Sequence, residues 1–241
     1  MAKLETLELK FEDSNAWIVF SSTSYDTKTI RNTWTALDLI LANPAAKCVI
    51  FTTEDPKLFS AGLDFEELIT GIHDANNFLS EFAVLNSRIM SFPLPTICGI
   101  NGHCIAGGVM FAMSTDYRIA LKGKFIFEMR EIGMGMGMPR FMLATLLAKV
   151  GPRAARDLAL FGNNLSQQKA LELEVIDEVV EGKEEFLKRL SEKATELSVI
   201  GEQKDAIKAI KVAIYRDFIK SAETTFEKYS YVTVRSLMPK L

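Results

Sequence analysis

Two short apolar runs set the strongest limit on how this chain can fold. Residues 48–52 (CVIFT) and 96–100 (TICGI) are too short for ordinary helices, and their apolar residues follow one another instead of alternating with polar ones. Each run is followed by a loop of small residues and then by a segment with helical spacing. Continuous apolar strands of this kind are buried on both faces of a sheet. The order of the segments therefore indicates an α/β fold with layered sheets.

The rest of the chain extends this order of strands and helices. Alternation over residues 4–10 and an apolar run over 16–20 predict a β-hairpin. Further helices are predicted at residues 27–41, 65–69, 75–90 and 109–113, and a further strand at 117–120. From residue 181 onward no strand is predicted, and amphipathic helices are predicted at about 183–198, 204–219 and 222–234. We therefore divide the chain into a core, residues 1–180, and a helical C-terminal region, residues 181–241.

Composition argues against several classes of function. The net charge is −3, and Lys and Arg are interleaved with acidic residues, which does not suit a nucleic-acid-binding surface. Cys48, Cys98 and Cys104 have no CxxC spacing and lie in apolar stretches, so we expect buried, reduced thiols. With two histidines in the chain, we expect no metal site. We also expect neither a targeting peptide in the acidic, alternating N-terminus nor a membrane helix, since the most apolar stretch, 95–113, is interrupted by four glycines.

Two loops share one design, in which a strand end is followed by small residues and the start of a helix. They are residues 59–64 (FSAGLD) and 101–108 (NGHCIAGG). Small residues let backbone N–H groups approach a ligand closely, and a helix N-terminus adds unpaired N–H donors with a partial positive charge. Two such donors aimed at one carbonyl oxygen would form an oxyanion hole. On composition alone, plain tight turns and helix caps are the better explanation.

In this order and at this spacing, the two loops resemble signatures of the crotonase (enoyl-CoA hydratase/isomerase) superfamily, an FxAGxD loop and a glycine-rich loop that begins with Asn-Gly. Later segments are also similar to family signatures: residues 114–120 (STDYRIA), 131–135 (EIGMG) and 150–155 (VGPRAA), with the run that follows to residue 177. The resemblance covers nearly the whole chain. It implies an α/β crotonase-like spiral of ββα units. Residues 181–241 would be a helical trimerisation region, and the assembly a homotrimer or a dimer of trimers.

The resemblance implies a role for each of the two loops. The backbone N–H groups of Leu63 and Gly107 would form an oxyanion hole that grips the thioester oxygen of an acyl-CoA. Ser60, Ala61 and Leu63 would lie where family members hold the adenine of CoA by backbone contacts. The substrate-binding residues implied in this way are Ser60, Ala61, Gly62, Leu63, Gly107 and Met110. Asp64 is better explained as the N-cap of the helix at 65–69 than as an acid catalyst.

The acidic residues separate hydration from isomerisation. Hydratases of the family use two glutamates, and Met110 occupies one of these positions, where a thioether can neither activate water nor deliver a proton. The other position matches Glu131. One carboxylate is enough for a 1,3-proton transfer, because the same group can remove a C2 proton and return it at C4. The pattern looks most like the peroxisomal 3,2-enoyl-CoA isomerases, particularly the plant type. It implies conversion of 3-enoyl-CoA to 2-trans-enoyl-CoA in unsaturated fatty acid β-oxidation.

Alternatives stay open for the base and for the reaction. Glu128 would be the base if the turn had a different register, and Arg130 stands where many relatives have Pro. A base among the apolar side chains of residues 127–134 should have a pKa raised by desolvation. The chain would otherwise be an enoyl-CoA hydratase or other crotonase-type acyl-CoA enzyme, or a catalytically inactive acyl-CoA-binding subunit.

A few further features complete the expectations. His103 is expected to be structural. Several methionines would suit a pocket for variable acyl chains, although core filling is the better explanation; they are Met110, Met113, Met129, Met134, Met136, Met138 and Met142. No cofactor is implied, because CoA is part of the substrate. The ending Pro239-Lys240-Leu241 resembles the Ser-Lys-Leu class of peroxisomal address, so we expect a peroxisomal protein, or otherwise a cytoplasmic one.

Overall fold

The two apolar runs lie side by side in the middle of a large sheet. The computed structural model describes residues 1–70 and 75–224. The strands are β1 (Ala2–Leu4), β2 (Leu7–Glu12), β3 (Asn15–Phe20), β4 (Ser24–Tyr25), β5 (Cys48–Thr53), β6 (Leu58–Ser60), β7 (Gly62–Leu63), β8 (Thr96–Ile100), β9 (His103–Ile105), β10 (Tyr117–Leu121), β11 (Ile126–Glu128), β12 (Leu165–Ser166) and β13 (Glu178–Val180). The helices are α1 (Thr27–Ala42), α2 (Phe65–Thr70), α3 (Ala75–Met90), α4 (Gly107–Ser114), α5 (Arg140–Ala155), α6 (Gln167–Glu172), α7 (Lys183–Ser198), α8 (Lys204–Ile214) and α9 (Arg216–Thr224).

The large sheet has seven strands in the order β1-β2-β3-β5-β8-β10-β13. β5 and β8 pair in parallel, and every residue of both strands is buried, as the continuous apolar runs predicted. The predicted hairpin is the antiparallel pair of β2 and β3, in which Leu9 lies opposite Ile18. Four parallel pairings, from β3 through β5, β8 and β10 to β13, then build the rest of the sheet.

Successive units of the chain place one strand in the large sheet, the next strand in a smaller sheet, and then a helix. β5 and β6 precede α2 and α3, β8 and β9 precede α4, and β10 and β11 precede α5. The smaller sheet has the order β12-β11-β9-β6, so the second strands of the three units are neighbours. This arrangement confirms the predicted spiral of ββα units. It also brings the loops that follow β6, β9 and β11 to one place.

Three local predictions were wrong. Residues 59–64 and 101–108 contain short strands, β6, β7 and β9, where the sequence predicted a turn and a loop. These strands pair with distant segments, β6 with β9 and β7 with β4, so no local periodicity announces them. The helix predicted over 204–219 is two helices, α8 and α9, because the backbone leaves the helical conformation at Tyr215 (φ −103°, ψ 20°).

The capping of α1 follows its sequence. Asp26 is the N-cap, and its side-chain Oδ1 accepts a hydrogen bond of 2.6 Å from the amide of Thr29. The buried face of the helix repeats at three- and four-residue intervals through Ile30, Thr33, Leu37 and Ile40. The helix ends at Ala42, two residues before Pro44, whose ring disfavours helical geometry in the preceding residue.

The described part of the C-terminal region folds back onto the core of its own chain. α7 lies on the face of the large sheet opposite the main core, where Phe186, Leu190 and Ala194 pack with Trp17 and its neighbours. α9 packs against α3 and α5. Residues 225–234 of the last predicted helix lie outside the described residues. The trimerisation role of residues 181–241 stays a prediction.

Two expectations, one about the cysteines and one about membrane helices, can be compared with the structure. The three cysteines are buried and form no disulfide. Across residues 1–70 and 75–224, no helix combines the length and apolar character needed to cross a bilayer.

A cluster of charged side chains links the C-terminal helices to the turn that follows α4. The ammonium group of Lys149 donates hydrogen bonds of 2.9 Å to the carbonyl oxygen of Thr115 and to the hydroxyl of Tyr215. Nearby, Lys211 pairs with Asp116. Burial is the main reason why the pKa of Lys149 falls to about 7.

We predict that the free energy of unfolding of Lys149→Met, taken relative to that of the parent, decreases as the pH rises from about 6 to about 9. Folded Lys149 releases its proton near pH 7, whereas a lysine in the unfolded chain keeps its proton until about pH 10.4. Between these values the unfolded state binds more protons, so the parent's free energy of unfolding rises with pH by up to about 1.4 kcal/mol per unit. Met lacks this titration, and urea denaturation at several pH values measures the difference.

The matched control is Lys188→Met on the exposed face of α7, where the side chain pairs with Glu185 in solvent. Its stability difference from the parent should not depend on pH in this range. A constant difference between Lys149→Met and the parent from pH 6 to 9 would contradict the titration of Lys149.

Candidate active site

The two glycine-containing loops touch each other through their backbones at Gly62 and Gly107. β6 and β9 run in parallel, which lays one loop along the other. A methyl group added to Gly62 would come within 2.7 Å of the amide nitrogen of Gly107, and one added to Gly107 within 3.0 Å of the amide nitrogen of Leu63. Gly62 also has a φ of +96°, which disfavours any other residue. The glycines therefore bring together the two amides that the sequence predicted for the oxyanion hole.

The amide of Gly107 points out of the N-terminus of α4. Gly107 is the first residue of this helix, so its N–H has no acceptor within the helix. The preceding carbonyl, that of Ala106, accepts from the amides of Val109 (2.9 Å) and Met110 (3.2 Å) inside the helix. In a trans peptide the N–H points opposite to the carbonyl. The N–H of Gly107 therefore faces away from the helix, where the helix dipole adds partial positive charge.

Ala106 has a strained backbone. Its φ of 48° and ψ of −116° are unusual for a residue with a side chain, and strain of this kind is concentrated at functional sites. The strain is held by a hydrogen bond of 2.7 Å from the amide of Ala106 to the carbonyl oxygen of Glu128. The sequence analysis did not single out Ala106, because small residues in this loop carried no sign of which one would bear the positive φ.

The loop that carries Leu63 is tied down by neighbouring backbone. The amide of Ala61 donates to the carbonyl of Thr23 (2.8 Å), and the amide of Asp64 donates to the carbonyl of Tyr25 (3.0 Å). The Asp64 carboxylate accepts from the amide of Glu67 at 2.8 Å, which supports its interpretation as the N-cap of α2. Residues 23–25 carry no signal in the sequence, because the strand β4 has two residues and pairs with the distant β7.

The other predicted substrate-binding residues differ in exposure. Ser60 is buried, and its hydroxyl oxygen accepts from the amide of Gly62 at 3.1 Å. Ala61 is exposed. Met110 is buried within α4, all of whose residues are buried. The predicted set therefore lies on both sides of the contact between Gly62 and Gly107.

The end of β11 runs beside the second loop and leads directly to Glu131. Glu128 pairs with Ile105 in the small sheet, and its carbonyl oxygen holds Ala106, the residue before Gly107. Burial then alternates along the chain: Phe127, Met129 and Glu131 are buried, whereas Glu128 is half-buried and Arg130 is exposed. This alternation was visible in the sequence F-E-M-R-E and is the signal that separates the two acids.

Glu131 carries a buried carboxylate with spare hydrogen-bonding capacity. The residue is 8% exposed, and its Oε2 finds no hydrogen-bond partner among the described residues. Burial is the main reason why its pKa is raised, and the charge of Glu128 adds to the increase, while the backbone amides of Arg130 and Glu131 oppose it. The carbonyl oxygen of Glu131 accepts from the amides of Met134 (3.1 Å) and Met136 (2.8 Å), which fixes the turn.

Glu128 faces a different environment. Its carboxylate forms an ion pair of 3.0 Å with the Nε of Arg130, on the solvent side of the strand. The Glu128 side chain is 16% exposed and that of Arg130 is 52% exposed. Glu128 is therefore already paired, whereas Glu131 has an oxygen available for a proton.

The remaining candidates fill structural roles. The Nδ1 of His103 accepts from the amide of Ile126 at 3.2 Å, and the ring packs edge-on against Phe125, as expected for a structural histidine. Most of the singled-out methionines are buried in the main core, whereas Met134 is 39% exposed. Met110, Met113, Met129, Met138 and Met142 all belong to this core.

Together these segments bring two backbone amides close to each other at Gly62 and Gly107, and the strand that holds Ala106 leads to the buried acid Glu131. Such a pair can stabilise negative charge that develops on a carbonyl oxygen, because its donors are fixed before the reaction begins. A carboxylate whose pKa is raised towards neutrality can take up and return a proton. The arrangement suits proton transfer at a carbon next to a carbonyl group.

Several known proteins are similar to this chain in sequence. A sequence model described as enoyl-CoA hydratase/isomerase matches residues 21–234. Enoyl-CoA delta isomerase 3 of Arabidopsis thaliana is 31% identical over 154 residues, which cover 62% of this chain and 65% of the relative. The peroxisomal enoyl-CoA delta isomerase 2 of the same plant is 30% identical over 144 residues, covering 57% and 60%. The matched part of this chain thus spans 60–65% of the length of these two relatives.

Solved structures share the fold. Human mitochondrial delta3-delta2-enoyl-CoA isomerase superposes with a TM-score of 0.82 at 21% identity, covering 98% of this chain and 96% of that one. A probable enoyl-CoA hydratase of Mycobacterium tuberculosis superposes with a TM-score of 0.84 at 20% identity, covering 98% of both chains. At this level of identity the superpositions describe the fold.

We predict that Gly62→Ala lowers the free energy of unfolding by about 2–4 kcal/mol, because the new methyl group meets the Gly107 amide and the backbone keeps a positive φ. Gly137→Ala is the matched control, since nothing lies within 4 Å of its added methyl group, and its stability should change by about 1 kcal/mol at most. Urea denaturation measures both. Equal stabilities of the two variants would show that the loops do not touch as described.

Proposed function

This chain belongs to the enoyl-CoA hydratase/isomerase family, and on that premise we propose that it converts a 3-enoyl-CoA to the 2-trans-enoyl-CoA. The reaction serves the β-oxidation of unsaturated fatty acids. The observation that carries this proposal is the buried carboxylate of Glu131, with one oxygen unpartnered among the described residues. It lies in the turn after β11, whose last residue, Glu128, is bound to the residue before Gly107. The names of the isomerase relatives support the same reaction.

The proposed reaction needs one proton to move between two carbons. The Glu131 carboxylate removes a proton from C2, and the electron pair of that C–H bond moves into the thioester, whose oxygen becomes negative. The N–H groups of Leu63 and Gly107 stabilise this oxygen. The dienolate then collapses: a C2–C3 double bond forms, the C3–C4 double bond takes up the proton at C4, and Glu131 becomes a carboxylate again. No atoms are gained or lost.

The electrostatics of Glu131 suit this exchange. A base that must both accept and return a proton works best with a pKa near the working pH, and burial moves the pKa of Glu131 upward. Activity should fall as the pH decreases through this raised pKa, since the protonated acid cannot accept the C2 proton. Burial also keeps the carboxylate away from water.

We further propose that CoA arrives as part of the substrate and that the chain needs no separate cofactor. Ser60, Ala61, Gly62 and Leu63 would contact it mainly through their backbone. Met110 would line the acyl side of the site, one helical turn from Gly107. Because a thioether cannot activate water, Met110 favours isomerisation over hydration. Rapid addition of water to a 2-enoyl-CoA would favour the hydratase alternative.

We expect Glu131→Gln to lower isomerase turnover by at least about 100-fold, because the amide keeps the shape of the side chain but cannot act as a base. Binding of a CoA ester, measured by calorimetry, should be retained. Glu128→Gln is the matched control and should keep most of its turnover at the optimum pH.

The opposite pattern, with Glu128→Gln inactive and Glu131→Gln active, would make Glu128 the base. Full turnover in both variants would remove both acids from the mechanism. Binding without turnover in the parent protein would favour an inactive acyl-CoA-binding subunit.

We also propose a peroxisomal location, supported by two Arabidopsis relatives whose names include it. Pro239–Leu241 is the candidate address and lies outside the described residues. A fluorescent fusion with a free C-terminus should colocalise with a peroxisomal marker, and removal of these three residues should release it into the cytosol. Peroxisomal import without them would exclude this address.

A homotrimer, or a dimer of trimers, is the assembly we propose. α8 exposes Ile210 (58%) and Ile214 (63%), one helical turn apart, which supports a contact between chains in this region. Sedimentation velocity should give a single species of three or six chains at micromolar concentration. A monomer would contradict the proposal.

A further inference from the structure

The Glu128–Arg130 ion pair lies next to the proposed base but takes no part in the proton transfer. We propose that Arg130 is a positioning residue, which holds the Glu128 carboxylate on the solvent side and neutralises it, and thereby sets the pH range in which Glu131 is an active base. This inference rests on the proposed function and deepens it. Arg130 would act on Glu131 only through Glu128.

The geometry fixes where the Glu128 charge lies. The carbonyl oxygen of Glu128 is bound to the amide of Ala106, so the main chain of Glu128 cannot move away from the site without releasing Ala106. Beyond Glu128 the burial of the chain still alternates, so that Arg130 is exposed and Glu131 is buried. The Nε of Arg130 reaches Oε2 of Glu128 at 3.0 Å. A carboxylate is thus held close to the base and paired outward.

The burial of Glu131 is the reason why the charge of Glu128 can affect its pKa. Glu131 is buried and has an oxygen with no partner among the described residues, so nearby charges are weakly screened. Glu128 acts on Glu131 as a like charge and disfavours its ionised form. A cation on Glu128 opposes that effect. Without Arg130, the proton would leave Glu131 at a higher pH.

Other charged groups near the turn include Arg140, which is exposed at the start of α5, and a pair on a neighbouring segment. The residue Gly162 packs against Ile132 and the carbonyl of Met129, and the segment that leads to it carries Arg156 and Asp157, which bind each other at 2.8 Å. α4 carries no charged side chain. Among the charged side chains of the described residues, Glu128 is the one whose field raises the pKa of Glu131.

The test is the pH dependence of kcat/KM for a 3-enoyl-CoA, whose acid limb reports the ionisation of the base in the free enzyme. Arg130→Gln should move the acid limb to higher pH, so that activity on the acid side falls by about threefold while the plateau is kept. Glu128→Gln should move it to lower pH. Arg130→Lys keeps the charge and should behave like the parent.

The double variant Glu128→Gln/Arg130→Gln separates the action through Glu128 from a direct one. In the Glu128→Gln background, the further change Arg130→Gln should shift the acid limb much less than it does in the parent. The exposed pair should also be sensitive to salt, so about 1 M KCl should shrink the difference between Arg130→Gln and the parent. Lys188→Gln removes an exposed ion pair on α7 and should leave the acid limb in place.

The results distinguish this inference from the proposed function. If Glu131→Gln abolishes turnover but neither Arg130→Gln nor Glu128→Gln moves the acid limb, the inference fails and the base assignment stands. An equal shift from Arg130→Gln in both backgrounds also overturns it, because Arg130 would then act directly. If Glu131→Gln keeps its turnover, the proposed function fails first. Melting temperatures of the variants check that lost activity is not lost folding.

Discussion

The backbone contact between Gly62 and Gly107 is the constraint on which the site depends. Neither loop can carry a side chain at this point, because an added methyl group would meet the backbone of the other loop. The contact joins two consecutive ββα units and brings the amide of Leu63 next to the N-terminus of α4. The parallel pairing of β6 with β9, and of β9 with β11, extends the same layer to Glu128 and then to Glu131.

Around this contact the molecule departs from what local stability would favour. Ala106 keeps a positive φ, and Glu131 keeps a buried oxygen without a partner among the described residues. Each of these features costs free energy, since a strained residue typically costs about 1–3 kcal/mol and a buried polar atom loses its hydration. The surrounding fold offsets that cost through the fully buried α4 and the paired strands of the small sheet. The residues that depart from locally stable structure therefore lie where the proposed chemistry requires fixed donors and a poorly hydrated acid.

Much of the fold was predictable because its strongest signals are local. The buried strands β5 and β8, helix α3 and helix α7 follow directly from apolar runs and helical spacing. The short strands β4, β6, β7 and β9 were not predictable in this way, since they are stabilised by pairing between distant segments. The same reason hid Ala106, whose strain is held by the carbonyl of Glu128, 22 residues later in the sequence. Glu131 could be distinguished from Glu128 by sequence, because burial alternates over the five residues 127–131. Glu131 falls at a buried position, whereas Arg130, the partner of Glu128, is exposed.

The site has two halves, and because α4 is completely buried, the two halves differ in how freely their side chains can be replaced. The half that holds the oxygen is made of backbone atoms and of a helix whose every residue is packed, so a new side chain there must fit the space already present. The half that moves the proton is made of side chains at the end of a strand with one face in solvent. A change of acid in the second half therefore meets fewer steric limits than a change at Met110 in the first half.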